Sequence, residues 1–163
     1  MEILAFAVIA VVALVTALAV MLHRNPVIGG LFLVSNLLCV ALLYLMLHAQ
    51  FLAAIQVIVY AGAIMVLIIF VIMLLNLKKE AVGINAGPVQ KTIAALAAAG
   101  FLGLVGKGIF TIAATRDQAP VSYGTVEYVG RHLYGEFYYP FELISLILLV
   151  AMAGAVVLAK RKL

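Results

Sequence analysis

Long apolar runs separated by short polar stretches dominate this chain of 163 residues. The runs predict helices over about residues 3–22, 27–47, 51–77, 91–114 and 140–159, and a polar loop over 115–139. At a rise of about 1.5 Å per residue, about 20 apolar residues cross a hydrocarbon core of roughly 30 Å. The pattern therefore predicts an all-α integral membrane protein, with five transmembrane helices in a single membrane domain over residues 1–163.

The third run, from Phe51 to Leu75, has no charged residue and is interrupted only by Gln56, Tyr60 and the small residues Ala61-Gly62-Ala63. A glycine inside a helix costs about 1 kcal/mol relative to alanine and favours local distortion. Two interpretations stay open. The small residues allow close packing against a neighbouring helix, or they mark a π-bulge, one extra residue in one turn, as found in functional helices.

The composition excludes a soluble globular protein, because 68% of the residues are hydrophobic, only 10% are charged and the mean hydropathy is +1.32. Soluble domains have about 25% charged residues. The formal charge of +4 does not point to nucleic acid, since the basic residues lie mainly between and after the apolar runs. Met1-Glu2 has no basic residue, so we expect the first run to be a membrane helix and not a cleaved signal peptide.

The basic residues also predict an orientation. One side of the membrane would hold Arg24, Lys78, Lys79, Lys91, Lys160, Arg161 and Lys162. The other side would hold Arg116 and Arg131, offset by Asp117, Glu127 and Glu136. By the positive-inside rule the N-terminus lies outside and the C-terminus inside.

Residues that could perform chemistry are scarce. The sequence has no CxxC, no HExxH, no Gly-rich phosphate loop and no pair of intramembrane histidines, and its one cysteine is Cys39. We therefore predict no catalytic residue, no metal site and no cofactor bound by this chain. Glu142, two places after Pro140, has two open interpretations: a structural carboxylate in a first helical turn, favoured by the helix dipole, or part of a proton or water path.

A few residues predict contacts between helices. Asn36 lies inside the second run and should face another helix, because an exposed amide is unfavourable in hydrocarbon. Ala99 and Gly103 have the small-xxx-small spacing that permits close backbone approach in the fourth run. Since Asn36, Gln56 and Tyr60 lack enough polar partners within the chain, we expect no stable monomer and expect partner proteins and lipid around it.

Three stretches match a known family. They are Ile58-Val59-Tyr60-Ala61-Gly62-Ala63-Ile64-Met65-Val66-Leu67 continued by Phe70–Leu77, the turn Asn25-Pro26-Val27, and Pro140-Phe141-Glu142-Leu143 with Ser145 and Leu148–Ala151. Through them the chain resembles the J subunit of bacterial NADH:quinone oxidoreductase, respiratory complex I, whose mitochondrial counterpart is subunit 6. The match runs from about Asn25 to the end of the fifth run and is weakest over 78–139.

The resemblance implies a multi-pass, non-redox component of the bacterial inner membrane, with a periplasmic N-terminus and a cytoplasmic C-terminus. It would pack against the small A and K proteins of the complex, near the quinone-binding H protein, with the N protein also expected. The complex would use NADH, FMN, iron–sulfur clusters and quinone on other subunits, and the isolated chain would catalyse nothing. A π-bulge is implied in the third helix, where switching would couple quinone reduction to proton translocation, with gating at Tyr60, Gly62, Met65 and Val66 and a possible path at Gln56 and Glu142.

Two rival functions stay open. One is a membrane component of a related cation/proton antiporter or membrane-bound hydrogenase complex. The other is a purely structural spacer, in which Ala61 and Ala63 serve only for helix packing. The quinone, the electron donor and the number of protons moved are not indicated by the sequence.

Overall fold

The structure is a computed structural model of the full chain, and it describes residues 1–75, 87–114 and 121–160. The helices are α1 Glu2–Leu22, α2 Pro26–Met46, α3 Gln50–Ile55, a π-helix Gln56–Ile64, α4 Met65–Leu74, α5 Pro88–Ala114, a 3₁₀ turn Val121–Gly124, α6 Val126–Tyr134 and α7 Tyr138–Ala159. The described residues include no strand. The all-α fold predicted from the sequence is confirmed.

Five helical segments of the described chain are long and apolar enough to cross a membrane, as the sequence predicted. They are Glu2–Leu22, Pro26–Met46, Gln50–Leu74, Val89–Gly108 and Tyr138–Ala159. We call Gln50–Leu74, which joins α3, the π-helix and α4, the third span. The predicted end of the third helix at residue 77 and the basic residues Lys78, Lys79, Arg116, Arg161 and Lys162 lie outside the described residues. The orientation of the termini therefore stays a prediction.

The turn between α1 and α2 is short because a proline begins the second helix. Pro26 occupies the first helical position, where the amide hydrogen that proline lacks has no intrahelical partner in any helix. Asn25 caps the helix: its side-chain oxygen accepts a hydrogen bond from the Val27 amide at 3.0 Å. Such a turn makes α1 and α2 antiparallel neighbours.

Helix α2 lies at the centre of the first compact unit, Met1–Leu75 with Val121–Leu163, and contacts α1, α3, the π-helix and α4. Small residues permit this. A Cβ built at Gly30 would lie 3.0 Å from Ile69 Cγ1 of α4, and one at Gly29 would lie 3.5 Å from the Val20 carbonyl oxygen of α1. Glycine at the start of α2 therefore brings the neighbouring helices to close contact on both sides.

The turn between α2 and α3 is a Schellman motif with a histidine in the left-handed position. The His48 amide donates to the Leu45 carbonyl at 3.0 Å and the Ala49 amide donates to the Tyr44 carbonyl at 2.9 Å. His48 has φ 58°, a conformation that glycine usually supplies at this point. The two hydrogen bonds fix the direction in which the chain leaves α2 and begins the third span.

The segment that the sequence predicted as a polar loop, residues 115–139, contains the 3₁₀ turn and α6 in its described part. Thr125 caps α6 by accepting from the Tyr128 amide at 3.3 Å. Glu127 and Arg131, one turn apart on the exposed face, form an ion pair at 2.6 Å. On the other side α6 contacts both α3 and α7, so it joins the last span to the beginning of the third.

A second compact unit, Asn76–Pro120, contains α5. Its sequence, PVQKTIAALAAAGFLGLVGKGIFTIAA, is rich in alanine and glycine. Ala99 and Gly103 are exposed on this helix, and a Cβ built at Gly103 would meet no atom within 4 Å. The small-residue spacing in α5 therefore has no packing partner within the described part of its unit.

Candidate gating segment of the third span

The third span changes its hydrogen-bond spacing in the middle. The π-helix covers nine residues, Gln56–Ile64, between two α-helical ends. At its far end the Met65 amide donates to the Tyr60 carbonyl, five residues back. At the end of α4 the Leu75 amide donates to the Val71 carbonyl, four residues back, at 3.0 Å. Where the spacing returns from five residues to four, the ladder passes over one carbonyl, which is then open to another donor.

The buried positions of the third span show the same change. Ala53 and Gln56 are buried three residues apart, as in an α-helix, but the next buried residue is Ala61, five positions further. Met65 follows four positions later. The π-helix thus adds one residue to the register, and the shift places Ala61, within the π-helix, and Met65, the first residue of α4, on the buried face of the span.

Gly62 lies within the π-helix, on its exposed side, and leaves little room for a side chain beside the backbone of the preceding turn. A Cβ built at this position would lie 3.2 Å from the Val57 carbonyl oxygen, five residues back. The distance is shorter than ordinary van der Waals contact, so the neighbouring backbone would have to yield by a few tenths of an ångström. The absence of a side chain at Gly62 therefore favours the π form.

The other residues expected at the gate differ in exposure, because Tyr60 and Val66 are exposed whereas Met65 is buried. Tyr60 is 49% exposed, and Val66 and Ala63 are also exposed. Tyr60 and Val66 thus face away from α2, whereas Met65 and Ala61 face toward the buried side. The four gating positions taken from the resemblance are therefore divided between two faces of one helix.

Gln56 begins the π-helix and is the one buried polar residue of the described chain, with 8% of its surface exposed. Within residues 1–75, 87–114 and 121–160, no group forms a hydrogen bond with its side-chain amide. The amide is not fully enclosed, because no side-chain nitrogen or oxygen of these residues is both fully enclosed and without a partner. A buried amide without a partner is unfavourable by about 1–3 kcal/mol. The start of the π-helix therefore favours a polar partner beside Gln56.

Asn36 connects α2 to α1. Its side-chain nitrogen donates to the Ala13 carbonyl at 2.7 Å and lies 3.2 Å from the Thr16 hydroxyl oxygen. The Thr16 hydroxyl in turn donates to the Val12 carbonyl at 2.9 Å. Sequence reasoning singled out Asn36 and missed Thr16, although Thr16 is a polar residue in the middle of an apolar run and could have indicated the pairing.

Glu142 does not lie in the first turn of its helix, so the predicted placement is wrong, whereas the choice between a structural carboxylate and a proton or water path stays open. Helix α7 begins at Tyr138, two residues before Pro140, and its first turn has no acidic residue. Glu142 is therefore about 6 Å along the axis from the first residue, at a rise of about 1.5 Å per residue. Its side chain is exposed, and stabilisation by the helix dipole is weaker beyond the first turn.

No three His, Cys, Asp or Glu side chains of the described residues lie close enough to hold a metal ion. The cavity between α2 and the beginning of the third span has a volume of about 380 Å³. Its lining is almost wholly apolar: Leu38, Ala41, Leu42, Leu45, Gln50, Ala53, Ala54 and Val57. Such a groove suits a helix side or an acyl chain and not a polar substrate.

Comparison of the sequence with known proteins assigns the chain to a family. Residues 16–158 match the family model for NADH-ubiquinone/plastoquinone oxidoreductase chain 6. NAD(P)H-quinone oxidoreductase chain 6 of a Nostoc species is 33% identical over 162 residues, 99% of this chain and 80% of the relative. The chloroplastic subunit 6 of Zygnema circumcarinatum is 38% identical over 167 residues, 97% of this chain and 92% of the relative.

An archaeal relative is also similar. The F(420)H(2) dehydrogenase subunit J of Methanosarcina mazei is 36% identical over 166 residues, 98% of this chain and 92% of the relative. The matched region contains the whole third span and α7 as far as residue 158. The chain therefore belongs to the family of NADH-ubiquinone/plastoquinone oxidoreductase chain 6, and it is a membrane subunit of an oxidoreductase complex.

Proposed function

We propose that this chain couples quinone reduction to proton translocation, without itself taking part in electron transfer, through a third span that changes between a π-helical and a straight form. The observation that supports this most is the π-helix Gln56–Ile64 in the middle of a membrane span. The π-helix is rare, and π-bulges inside α-helices are frequently found at functional sites. The residues available for chemistry in this chain are too few for catalysis, so its contribution is conformational.

The switch would turn one half of the span against the other. An α-helix turns by about 100° per residue, because it has about 3.6 residues per turn. A change from the π form to a uniform α-helix shifts the register by one residue, and it would therefore rotate α4 by about 100° relative to α3. The residue before each buried position would move to the buried face, so that Tyr60 and Ile64 would replace Ala61 and Met65.

Rotation would also give Gln56 a partner. In a straight α-helix, Gln56 and Tyr60 are four residues apart and lie next to each other on one face. In the π form Gln56 is buried without a hydrogen bond in the described chain and Tyr60 is exposed. The straight form would place the Tyr60 hydroxyl beside the Gln56 amide. This polar pair would then lie on the buried face, where the π form has the apolar side chain of Ala61. Such a change can open or close a path for water and protons.

The proposed setting is that of the family. The chain would span the bacterial inner membrane with its N-terminus outside, in contact with the A, H, K and N proteins of the complex. NADH, FMN, iron–sulfur clusters and quinone would be bound elsewhere in the complex. The F(420)H(2) dehydrogenase relative favours a second candidate, a related oxidoreductase complex with another electron donor. Neighbouring genes for a quinone-site protein and a nucleotide-binding or F420-binding protein would distinguish the donors.

The experiment is the substitution Gly62→Val or Gly62→Leu in the assembled complex. A side chain at this position meets the Val57 carbonyl oxygen in the π form, so we expect normal assembly with fewer protons translocated per electron. Gly154→Val is a matched control, because Gly154 lies in α7 and a Cβ there meets no atom within 4 Å. Full coupling in an assembled Gly62→Val complex contradicts the proposal and favours the structural spacer.

A further inference from the structure

The beginning of the third span holds a contact that the switch itself does not require. The 3₁₀ turn Val121–Gly124 lies against the turn between α2 and α3. A Cβ built at Gly124 would overlap the His48 carbonyl oxygen and lie 2.7 Å from Ala49 Cα. Backbone atoms on both sides of this contact leave no room for a side chain. Gly124 has no positive φ, so its position requires glycine because of close approach alone.

The surface under Gly124 is well defined. His48 and Ala49 belong to the Schellman motif that ends α2, and the Ala49 carbonyl accepts from the Ala53 amide at 3.0 Å, which begins α3. Gly124 therefore touches the residues at which the third span starts. A backbone contact at this point restricts both the tilt and the rotation of α3.

The segment that supplies Gly124 continues into a helix held by several interactions. The ring centroids of Tyr128 and His132 are 4.1 Å apart, with the planes tilted by 34°, and His132 Nδ1 donates to the Tyr128 carbonyl at 2.9 Å. The ring of Tyr134 meets that of Phe141, in α7, at 5.2 Å. The Phe137 amide donates to the His132 carbonyl at 3.0 Å, which closes the connection between α6 and α7. Residues 121–141 thus link the start of the third span to the start of the last span.

We propose that the segment 121–134 is a positioning element: it holds α3 in place and ties it to α7, so that the π-to-α change turns α4. This rests on the proposed function. Of the described elements outside the third span, α3 contacts α2, the 3₁₀ turn and α6, whereas α4 contacts α2. Segments with few packed contacts move more readily than segments with many, so we expect α3 to stay in place while α4 turns.

The test compares Gly124→Ala with Gly130→Ala in the assembled, membrane-embedded complex. Gly130 lies in the middle of α6, where a Cβ meets no atom within 4 Å. Amide hydrogen exchange over residues 49–55 and the number of protons translocated per electron are measured for both. We expect Gly124→Ala to speed amide exchange over residues 49–55 at least tenfold and to lower the number of protons translocated per electron. Gly130→Ala should change neither quantity.

The two measurements test two separate claims: that the segment positions α3, and that this positioning is needed for the switch. Unchanged exchange in Gly124→Ala overturns the positioning role. Faster exchange with full proton yield overturns the link between this segment and the switch, whereas failure of the switch itself is shown independently by a fully coupled Gly62→Val complex.

A second measurement covers the case in which Gly124→Ala does not assemble. Photoreactive p-benzoylphenylalanine replaces Tyr123, next to Gly124, in an otherwise unchanged complex. We expect a crosslink to the peptide that contains residues 47–52, since Gly124 lies against His48 and Ala49. An assembled complex that gives crosslinks only to other peptides contradicts the contact and with it the proposal.

Discussion

The substitution Gly62→Ala tests the π-helix with the smallest possible change. It adds one methyl group, whose carbon would lie 3.2 Å from the Val57 carbonyl oxygen in the π form. Ordinary van der Waals contact begins near 3.4 Å, so the backbone must move by a few tenths of an ångström. Overpacking of a well-packed site costs about 1–3 kcal/mol, and a shift this small belongs near the lower limit. We estimate about 1 kcal/mol against the π form.

The straight form tolerates the same methyl group, because alanine is the residue most favourable to an α-helix. A difference of about 1 kcal/mol changes the ratio of two states about fivefold. We therefore expect the ratio of π to straight third spans in Gly62→Ala complexes to fall about fivefold. Sorting particles of the assembled complex by electron cryo-microscopy counts the two forms, and proton translocation per electron is measured on the same preparation.

The control is Gly154→Ala in α7, where the added methyl group meets no atom of the chain within 4 Å. It should leave the ratio of the two forms within about twofold of wild type, since its free-energy effect on the third span is close to zero. The crowding at Gly62 does not control the switch if Gly62→Ala leaves the ratio unchanged, or if Gly154→Ala changes it as much. A rise in the π fraction would show that the contact with Val57 is relieved in a way that the structure does not indicate.

Three other changes are expected to have smaller or separate effects. Asn36→Ala removes the hydrogen bonds to α1, so thermal denaturation of the complex should show a loss of about 1 kcal/mol; Ser35→Ala, whose hydroxyl bonds only within α2 at 3.1 Å, should lose less. Gln56→Leu removes a buried amide without a described partner and should raise the thermal stability of the complex while it lowers proton yield; lower stability would show that the amide is satisfied. Glu142→Ala should reduce proton pumping with assembly intact, and unchanged pumping would leave Glu142 a structural role.

Much of the architecture follows from hydrophobic length alone. Runs of about 20 apolar residues must form helices in a membrane, because an unpaired backbone group in hydrocarbon costs several kcal/mol. Asn25-Pro26 likewise marks the start of α2 by local chemistry, since asparagine caps a helix and proline fits its first position. These features depend on residues close together in the chain, which is why a sequence can indicate them.

Other features depend on contacts between distant residues. Helix α6 follows a stretch of mixed polarity, and its contact with α3 is a long-range consequence of the fold. Gly124 is one of 13 glycines, and nothing beside it in the sequence distinguishes it from Gly130. The sequence of the third span allows either packing or a bulge at Gly62, because both use small residues, and residue types alone do not distinguish the two.

The register change between Gln56 and Ala61 has a consequence for variation in this protein. In a uniform helix, tolerance to substitution would repeat every 3.6 residues along the whole span. Here the tolerant and intolerant positions should follow one phase up to Gln56 and another, one residue later, from Ala61 onward. Selection on both forms of the span would also restrict Tyr60 and Ile64, which are exposed in the π form. A saturation mutagenesis scan of Gln50–Leu74 would thus show the π-helix as a break in a periodic pattern, and the switch as low tolerance at Tyr60 and Ile64.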